Sequence, residues 1–190
     1  MSARRPSLGR GLALSSHPVP TVAVSAIAVL LGAAVGLPPG RIALLGAAIL
    51  AGQLSIGWSN DRLDAARDGA AGRPDKPAGA GAVPLRAVTA AAVGALGAAV
   101  VLSALLGRPA AIALLTLVAA GWAYNLGLKS TIWSGLTYAV GFGALPCAAY
   151  LAWAGHPGPP WWAPVTGALL GLAAHRANAL PDLAADAATG

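Results

Sequence analysis

The sequence predicts an all-α protein, a polytopic bundle of six transmembrane helices. Of its 190 residues 57% are hydrophobic and 9% are charged, whereas charged residues make up about 25% of a typical soluble domain. Apolar runs near the roughly 20 residues that cross a bilayer recur along the chain. Segments rich in proline and glycine, which interrupt helices, separate these runs. The composition therefore indicates an integral membrane protein.

The six spans are expected at about 19–37, 42–59, 85–106, 110–126, 131–153 and 161–180. Residues 1–16 are interpreted as a short basic tail, and residues 17–190 as the transmembrane domain. The loop 69–83, between the second and third spans, is rich in glycine, proline and alanine.

The distribution of basic residues predicts the orientation of the chain in the membrane. If the N-terminus is cytoplasmic, ten of the twelve Lys and Arg residues fall on the cytoplasmic side, and only Arg41 and Arg108 fall outside. The positive-inside rule selects this orientation, and we expect a multi-pass protein of the inner (cell) membrane, surrounded by lipid. The net charge of +6 is dispersed over segment ends, so no nucleic-acid partner is expected.

An acidic row follows the second span, in the stretch QLSIGWSNDRLDAARDGAAGRPDKP at residues 53–77. Asp61, Asp64 and Asp68 have the spacing i, i+3, i+7 and therefore share one face of a helix. Stacked carboxylates repel each other, and a hard cation such as Mg2+ relieves this repulsion. Arg73 and Lys76 lie just behind them, which suits a site for an anion, such as a diphosphate, as well as a metal.

A second polar row lies at the end of the sixth span, in HRANALPDLAADAATG. Asn178, Asp182 and Asp186 are spaced i, i+4, i+8 and again lie along one side of a helix. Because an even number of crossings separates the two rows, both are expected on the cytoplasmic face. Two facing carboxylate rows could hold a diphosphate through bridging Mg2+ ions.

These motifs resemble those of the UbiA superfamily of intramembrane prenyltransferases. Residues 60–68 read NDxxDxxxD, residues 182–186 read DxxxD, and the segments RPDKP and YNLGLK are similar to loop features of that family. The resemblance implies Mg2+-dependent transfer of a prenyl group from a prenyl diphosphate to an acceptor, often an aromatic ring, with the active site on the cytoplasmic face.

The resemblance also implies roles for individual residues. The catalytic metal ligands would be Asp61, Asp64, Asp68, Asp182 and Asp186. The residues binding the diphosphate would be Asn60, Arg73, Lys76, Tyr124, Lys129 and Asn178.

One feature departs from the family, whose members typically have nine transmembrane helices. The chain is expected to lack the last three helices, because it stops at Gly190, directly after the second motif. A second class of function remains open: a non-catalytic membrane protein or a transporter that binds a lipid diphosphate or a divalent cation through the same clusters.

Overall fold

The computed structural model describes residues 7–72, 76–155 and 157–189, the side chains of 179–189 excepted. These residues form helices and connecting turns, with no β-strand among them. The helices are α1 (Leu8–Ser15), α2 (Pro18–Ala34), α3 (Pro39–Ala70), α4 (Leu85–Leu105), α5 (Arg108–Asn125), α6 (Ser134–Leu151) and α7 (Trp162–Thr189), with a short 3-10 turn at Leu128–Ser130.

Helices α2 to α7 coincide with the six apolar segments of the sequence. Prolines stand in the first turns of α2, α3 and α5, where the missing N–H costs nothing because those amides have no partner within the helix. The largest difference is in α3, which continues through the acidic row to Ala70 without a break. The three aspartates therefore lie on the last turns of a 32-residue helix.

Helix α3 is the centre of the bundle and packs against α2, α4 and α5. Helix α6 packs between α5 and α7. The main apolar cluster joins α2, α3, α5 and α6 around the fully buried residues Leu45, Ile49 and Leu114. This core fixes the direction of each helix, and so decides which helix ends meet.

Arg41 marks the end of the bundle opposite the acidic row. Its Nη1 donates to the carbonyl oxygens of Leu106 at 3.1 Å and Ala152 at 3.0 Å, the residues that cap the C-termini of α4 and α6. A cation at two helix C-termini satisfies carbonyls that lack helical partners and complements both helix dipoles.

Two helices of the described chain, α3 and α4, are long and apolar enough to cross a membrane. The pair α1 and α2, bent by 66° at their junction, makes a third if it counts as one span. Of the six predicted spans, this length and composition test thus supports two or three.

The segment interpreted as a basic tail contains α1, which packs on the bundle. Trp58 Nε1 on α3 donates to the carbonyl oxygen of Leu12 at 2.8 Å. Gly11 is buried close to Val83. Helix α1 therefore lies beside the acidic end of α3.

Candidate active site

The acidic row on α3 is buried. Asp61 is 1% exposed, Asp64 9% and Asp68 4%, although the sequence places them at the end of a span, where solvated charges are common. Burying a carboxylate costs several kcal/mol unless partners compensate it, so the contacts of each aspartate indicate what the row can bind.

Among the described residues, Asp64 has the most partners of the three aspartates. Lys129 Nζ contacts its Oδ1, and its Oδ2 accepts from Asn60 Nδ2 at 3.1 Å and lies 3.3 Å from Arg67 Nη2. Lys129 reaches this position from the 3-10 turn that follows α5. Gly127 stands directly before this turn and has φ 145°, a conformation that favours glycine. Residues predicted from two distant motifs, NDxxD and YNLGLK, thus meet at one carboxylate.

Asn125, which the sequence analysis missed, connects α5 to this cluster. It is 5% exposed, and its Nδ2 donates to Ile56 O at 2.9 Å and to Ser59 Oγ at 2.7 Å. Its Oδ1 accepts from Asn60 Nδ2 at 3.1 Å. The available signal was an amide at the end of an apolar span, where a polar residue needs a partner.

The loop after α3 turns back and covers the row. Ala78 N–H donates to Asp61 Oδ2 at 3.2 Å, and Ala78 and Val83 are buried. A Cβ atom on Gly79 would lie 2.7 Å from Asp68 Cβ, so only glycine allows this close approach. Among the described residues, Asp61 Oδ1 and Asp68 Oδ2 have no hydrogen-bond partner.

A cavity of about 320 Å³ opens beside Asp61, between the loop and the bend from α1 to α2. It is lined by Leu14, His17, Pro18, Val19, Pro20, Asp61 and Lys76. Lys76 Nζ lies 3.2 Å from His17 Nε2. Since an ammonium only donates, His17 Nε2 is the acceptor.

The environment of His17 favours its neutral form. His17 lies in the bend before the first residue of α2. Burial lowers the pKa of His17, and the Lys76 ammonium lowers it further, outweighing the three aspartates, which act in the opposite direction. A neutral ring is the form that can accept from Lys76.

Aromatic side chains of α5 and α6 connect Asn178 on α7 to the rest of the site. Asn178 Nδ2 donates to Tyr138 Oη at 3.0 Å, and the Tyr138 ring meets Tyr124 edge-on with centroids 5.3 Å apart. Tyr124 precedes Asn125, so these contacts bring the part of α7 around Asn178 to the same end of the bundle as the α3 row. The expectation that the two polar rows lie at one end of the bundle agrees with this position of Asn178.

The side chains of three predicted site residues lie outside the described residues. Asp182 and Asp186 fall within the bounds of α7, but their side chains lie outside the described residues, as does all of Arg73. Of the predicted residues that are described, Asn60, Asp64 and Lys129 meet directly, whereas Lys76 lies on the cavity beside Asp61.

The described residues fit a magnesium site in chemistry but do not complete one. No group of three His, Cys, Asp or Glu side chains among them is arranged to hold a metal ion. The unpartnered oxygens of Asp61 and Asp68 are nevertheless hard carboxylate donors, the type Mg2+ prefers, and this ion usually takes its other ligands from phosphate and water.

A family model supplies the deciding observation: the model of the UbiA prenyltransferase family matches residues 19–190. The chain belongs to the UbiA prenyltransferase family. The comparison with curated proteins and the comparison with solved structures each returned no match. Membership of the UbiA family agrees with the apolar helices in indicating an integral membrane protein of the prenyltransferase type, and the resemblance inferred from the aspartate motifs is confirmed.

Proposed function

We propose that this chain binds a prenyl diphosphate through Mg2+ and transfers its prenyl group to an acceptor inside the membrane. The observation that carries the proposal is the buried carboxylate row of α3, met at Asp64 by Lys129 from a second motif. Such a cluster is costly to bury in so charge-poor a protein and is expected where a charged headgroup is handled.

The buried row would hold the metal, and the basic side chains would hold the diphosphate. Asp61 and Asp68 present unpartnered oxygens, and we assign the metal to these two residues together with Asp64, Asp182 and Asp186. Lys129 has three N–H donors, so its contact with Asp64 leaves donors for phosphate oxygens. Lys76, Arg73, Asn60, Asn178 and Tyr124 are proposed as further contacts to the headgroup.

The reaction begins when the bond between the allylic carbon and the diphosphate oxygen breaks, with both electrons leaving on the oxygen. Bound Mg2+ would supply positive charge to the departing diphosphate. Lys129 and Lys76 would add to this stabilisation, because preorganised charges act strongly in a water-poor site. The acceptor then donates an electron pair to the allylic cation and loses a proton.

The proposed membrane topology of the chain follows from the distribution of its basic residues. We propose six spans with a cytoplasmic N-terminus, which places the acidic end of the bundle at the cytoplasmic surface of the inner membrane and Arg41 at the opposite surface. The apolar tail of the donor would then lie among the helices, below the headgroup.

The test is release of diphosphate by the full chain in lipid nanodiscs, with radiolabelled geranyl or farnesyl diphosphate, Mg2+ and a panel of aromatic acceptors. Asp64→Asn is expected to lower release by at least about 100-fold, because losing one preorganised charged contact costs about 3–4 kcal/mol in the transition state. Arg62→Gln is the matched control, because Arg62 is exposed and its Nε donates to Thr89 Oγ1 on α4 at 3.2 Å, away from the row.

Two results would count against the proposal. Equal release of diphosphate by the wild type and by Asp64→Asn would show that the acidic row takes no part in the reaction. Tight Mg2+-dependent binding of the donor with no release by the wild type would favour the alternative function, a non-catalytic protein that binds a lipid diphosphate.

A further inference from the structure

Lys76 and Asp61 line the same cavity without forming an ion pair. Asp61 Oδ1 has no hydrogen-bond partner among the described residues, and Lys76 instead donates to His17 Nε2 at 3.2 Å. The neighbouring carboxylate behaves differently, because Asp64 is contacted by both Lys129 and Arg67. A lysine and an aspartate facing one small cavity therefore remain separate, which requires a cause.

Electrostatics alone would draw the ammonium onto the carboxylate. Opposite charges that face one partly buried cavity attract each other strongly, because solvent screens them only in part. A pair formed in this way would occupy the carboxylate oxygen that a metal needs and the N–H donors that a phosphate needs. A neutral imidazole that accepts from Lys76 gives the ammonium another partner without adding a charge.

The backbone at His17 supports a specific function for this position. His17 has φ 53° and ψ 68°, the left-handed conformation, and is the one described non-glycine residue with positive φ. The residue before a proline prefers extended conformations, so His17, which precedes Pro18, departs from that preference too. Backbone strain of this kind is concentrated at functional sites.

We propose that His17 is a positioning residue that keeps the Lys76 ammonium from pairing with Asp61. Lys76 then stays available to the oxygens of a diphosphate, and Asp61 Oδ1 stays available to the metal that accompanies it. This inference rests on the proposed function for its ligand, a diphosphate headgroup.

Three replacements of His17 and Lys76 separate the side-chain acceptor from the backbone conformation. His17→Gln places an amide oxygen at about the reach of Nε2 and keeps an acceptor. His17→Gly removes the acceptor while glycine adopts the left-handed conformation without strain. Lys76→Met removes the cation and retains most of the length of the side chain.

The experiment measures binding of inorganic pyrophosphate, in the presence of Mg2+, to the full chain in nanodiscs by isothermal titration calorimetry. His17→Gly is expected to weaken binding about tenfold, as for loss of one charge-assisted contact, and His17→Gln to stay within about threefold of wild type. The double variant His17→Gly, Lys76→Met is expected to bind no more weakly than Lys76→Met alone, because both changes remove the same contact. The melting temperature of His17→Gly should equal or exceed that of wild type, since strain is relieved.

Several outcomes would overturn the inference. Wild-type affinity in His17→Gly would show that Lys76 needs no positioning, and additive losses in the double variant would show that His17 acts elsewhere. A wild type that fails to bind pyrophosphate would defeat this inference and the proposed function together. If the binding pattern holds but no prenyl group is transferred, the proposed reaction fails while the role of His17 stands.

Discussion

Alanine at Gly171 should lower the melting temperature of the protein by about 6 °C. A Cβ atom at this position would lie 2.8 Å from the carbonyl carbon of Tyr138 and 2.9 Å from Phe142 Cβ, so α7 would have to move away from α6. Overpacking of this kind costs about 1–3 kcal/mol, and each kcal/mol lowers the midpoint by roughly 2–4 °C in a chain of this size. Thermal unfolding in detergent, followed by tryptophan fluorescence, measures the shift.

The same variant should also lose the proposed prenyl transfer, because α7 carries Asn178 and the second aspartate motif. Gly97→Ala is the matched control, since an added Cβ at Gly97 on α4 would have no heavy atom within 4 Å. That control should keep the wild-type melting temperature or gain slightly from the higher helix propensity of alanine. Equal melting temperatures for Gly171→Ala and Gly97→Ala would contradict the close contact between α6 and α7.

Leucine at Asn125 should destabilise the protein by about 3 kcal/mol. The change keeps the number and branching of the side-chain heavy atoms but removes the donor to Ile56 O and Ser59 Oγ and the acceptor for Asn60. Buried polar groups left without partners cost about 1–3 kcal/mol each, and some recover part of that by turning to neighbours. Thermal unfolding again measures stability, and release of diphosphate measures function. Release should fall because Asn60 Nδ2 keeps Asp64 as a partner but loses Asn125.

Thr116→Val is the control for this second prediction, in the same helix. Thr116 is exposed, and its hydroxyl donates only locally, to Ile112 O at 2.8 Å. Its replacement should change the midpoint by no more than about 2 °C, because surface substitutions alter stability by about 0.5 kcal/mol. An unchanged midpoint in Asn125→Leu would show that the amide does not link α3 to α5.

The sequence predicted the elements of this fold better than their contacts. Apolar runs divided by proline and glycine located six helices, because these residues act locally on the backbone. The spacing of Asp61, Asp64 and Asp68 placed them on one helix face for the same reason. The predicted span ends at residue 59, where hydropathy falls, and α3 continues from there through the row to Ala70, in agreement with the helical spacing of the three aspartates and with the loop expected from residue 69.

Contacts between distant segments could not be predicted. Nothing in the sequence indicates that Lys129 contacts Asp64, that Asn125 contacts Ser59, or that Ala78 covers Asp61, because each contact depends on how α3 and α5 cross and where the loop returns. Resemblance to a family could suggest Lys129 as a site residue, but not its partner. His17 belongs to no motif in the sequence, yet it lies on the cavity beside Asp61.

Pairs of glycines in the sequence have the spacing i, i+4, but not every member serves helix packing, because packing depends on which helices meet. Gly167 and Gly171 have the spacing i, i+4, which suits close helix packing, and backbone atoms of α6 lie against both. Gly32 and Gly36 have the same spacing, but Gly32 lies within α2 and Gly36 lies beyond its end. Gly36 has φ 77° just after α2, and an added Cβ would have no neighbour within 4 Å; its role is the left-handed turn that ends the helix.

The covering of the acidic row by the loop has a consequence for the response to ionic strength. Counterions in physiological buffer screen charges beyond about 8 Å, but they act far less on groups shielded from solvent. Because all three carboxylates are less than 10% exposed, added potassium chloride should hardly change the attraction between this row and a divalent ion. An open cluster of acidic side chains on a water-facing surface would lose most of that attraction to competing monovalent cations.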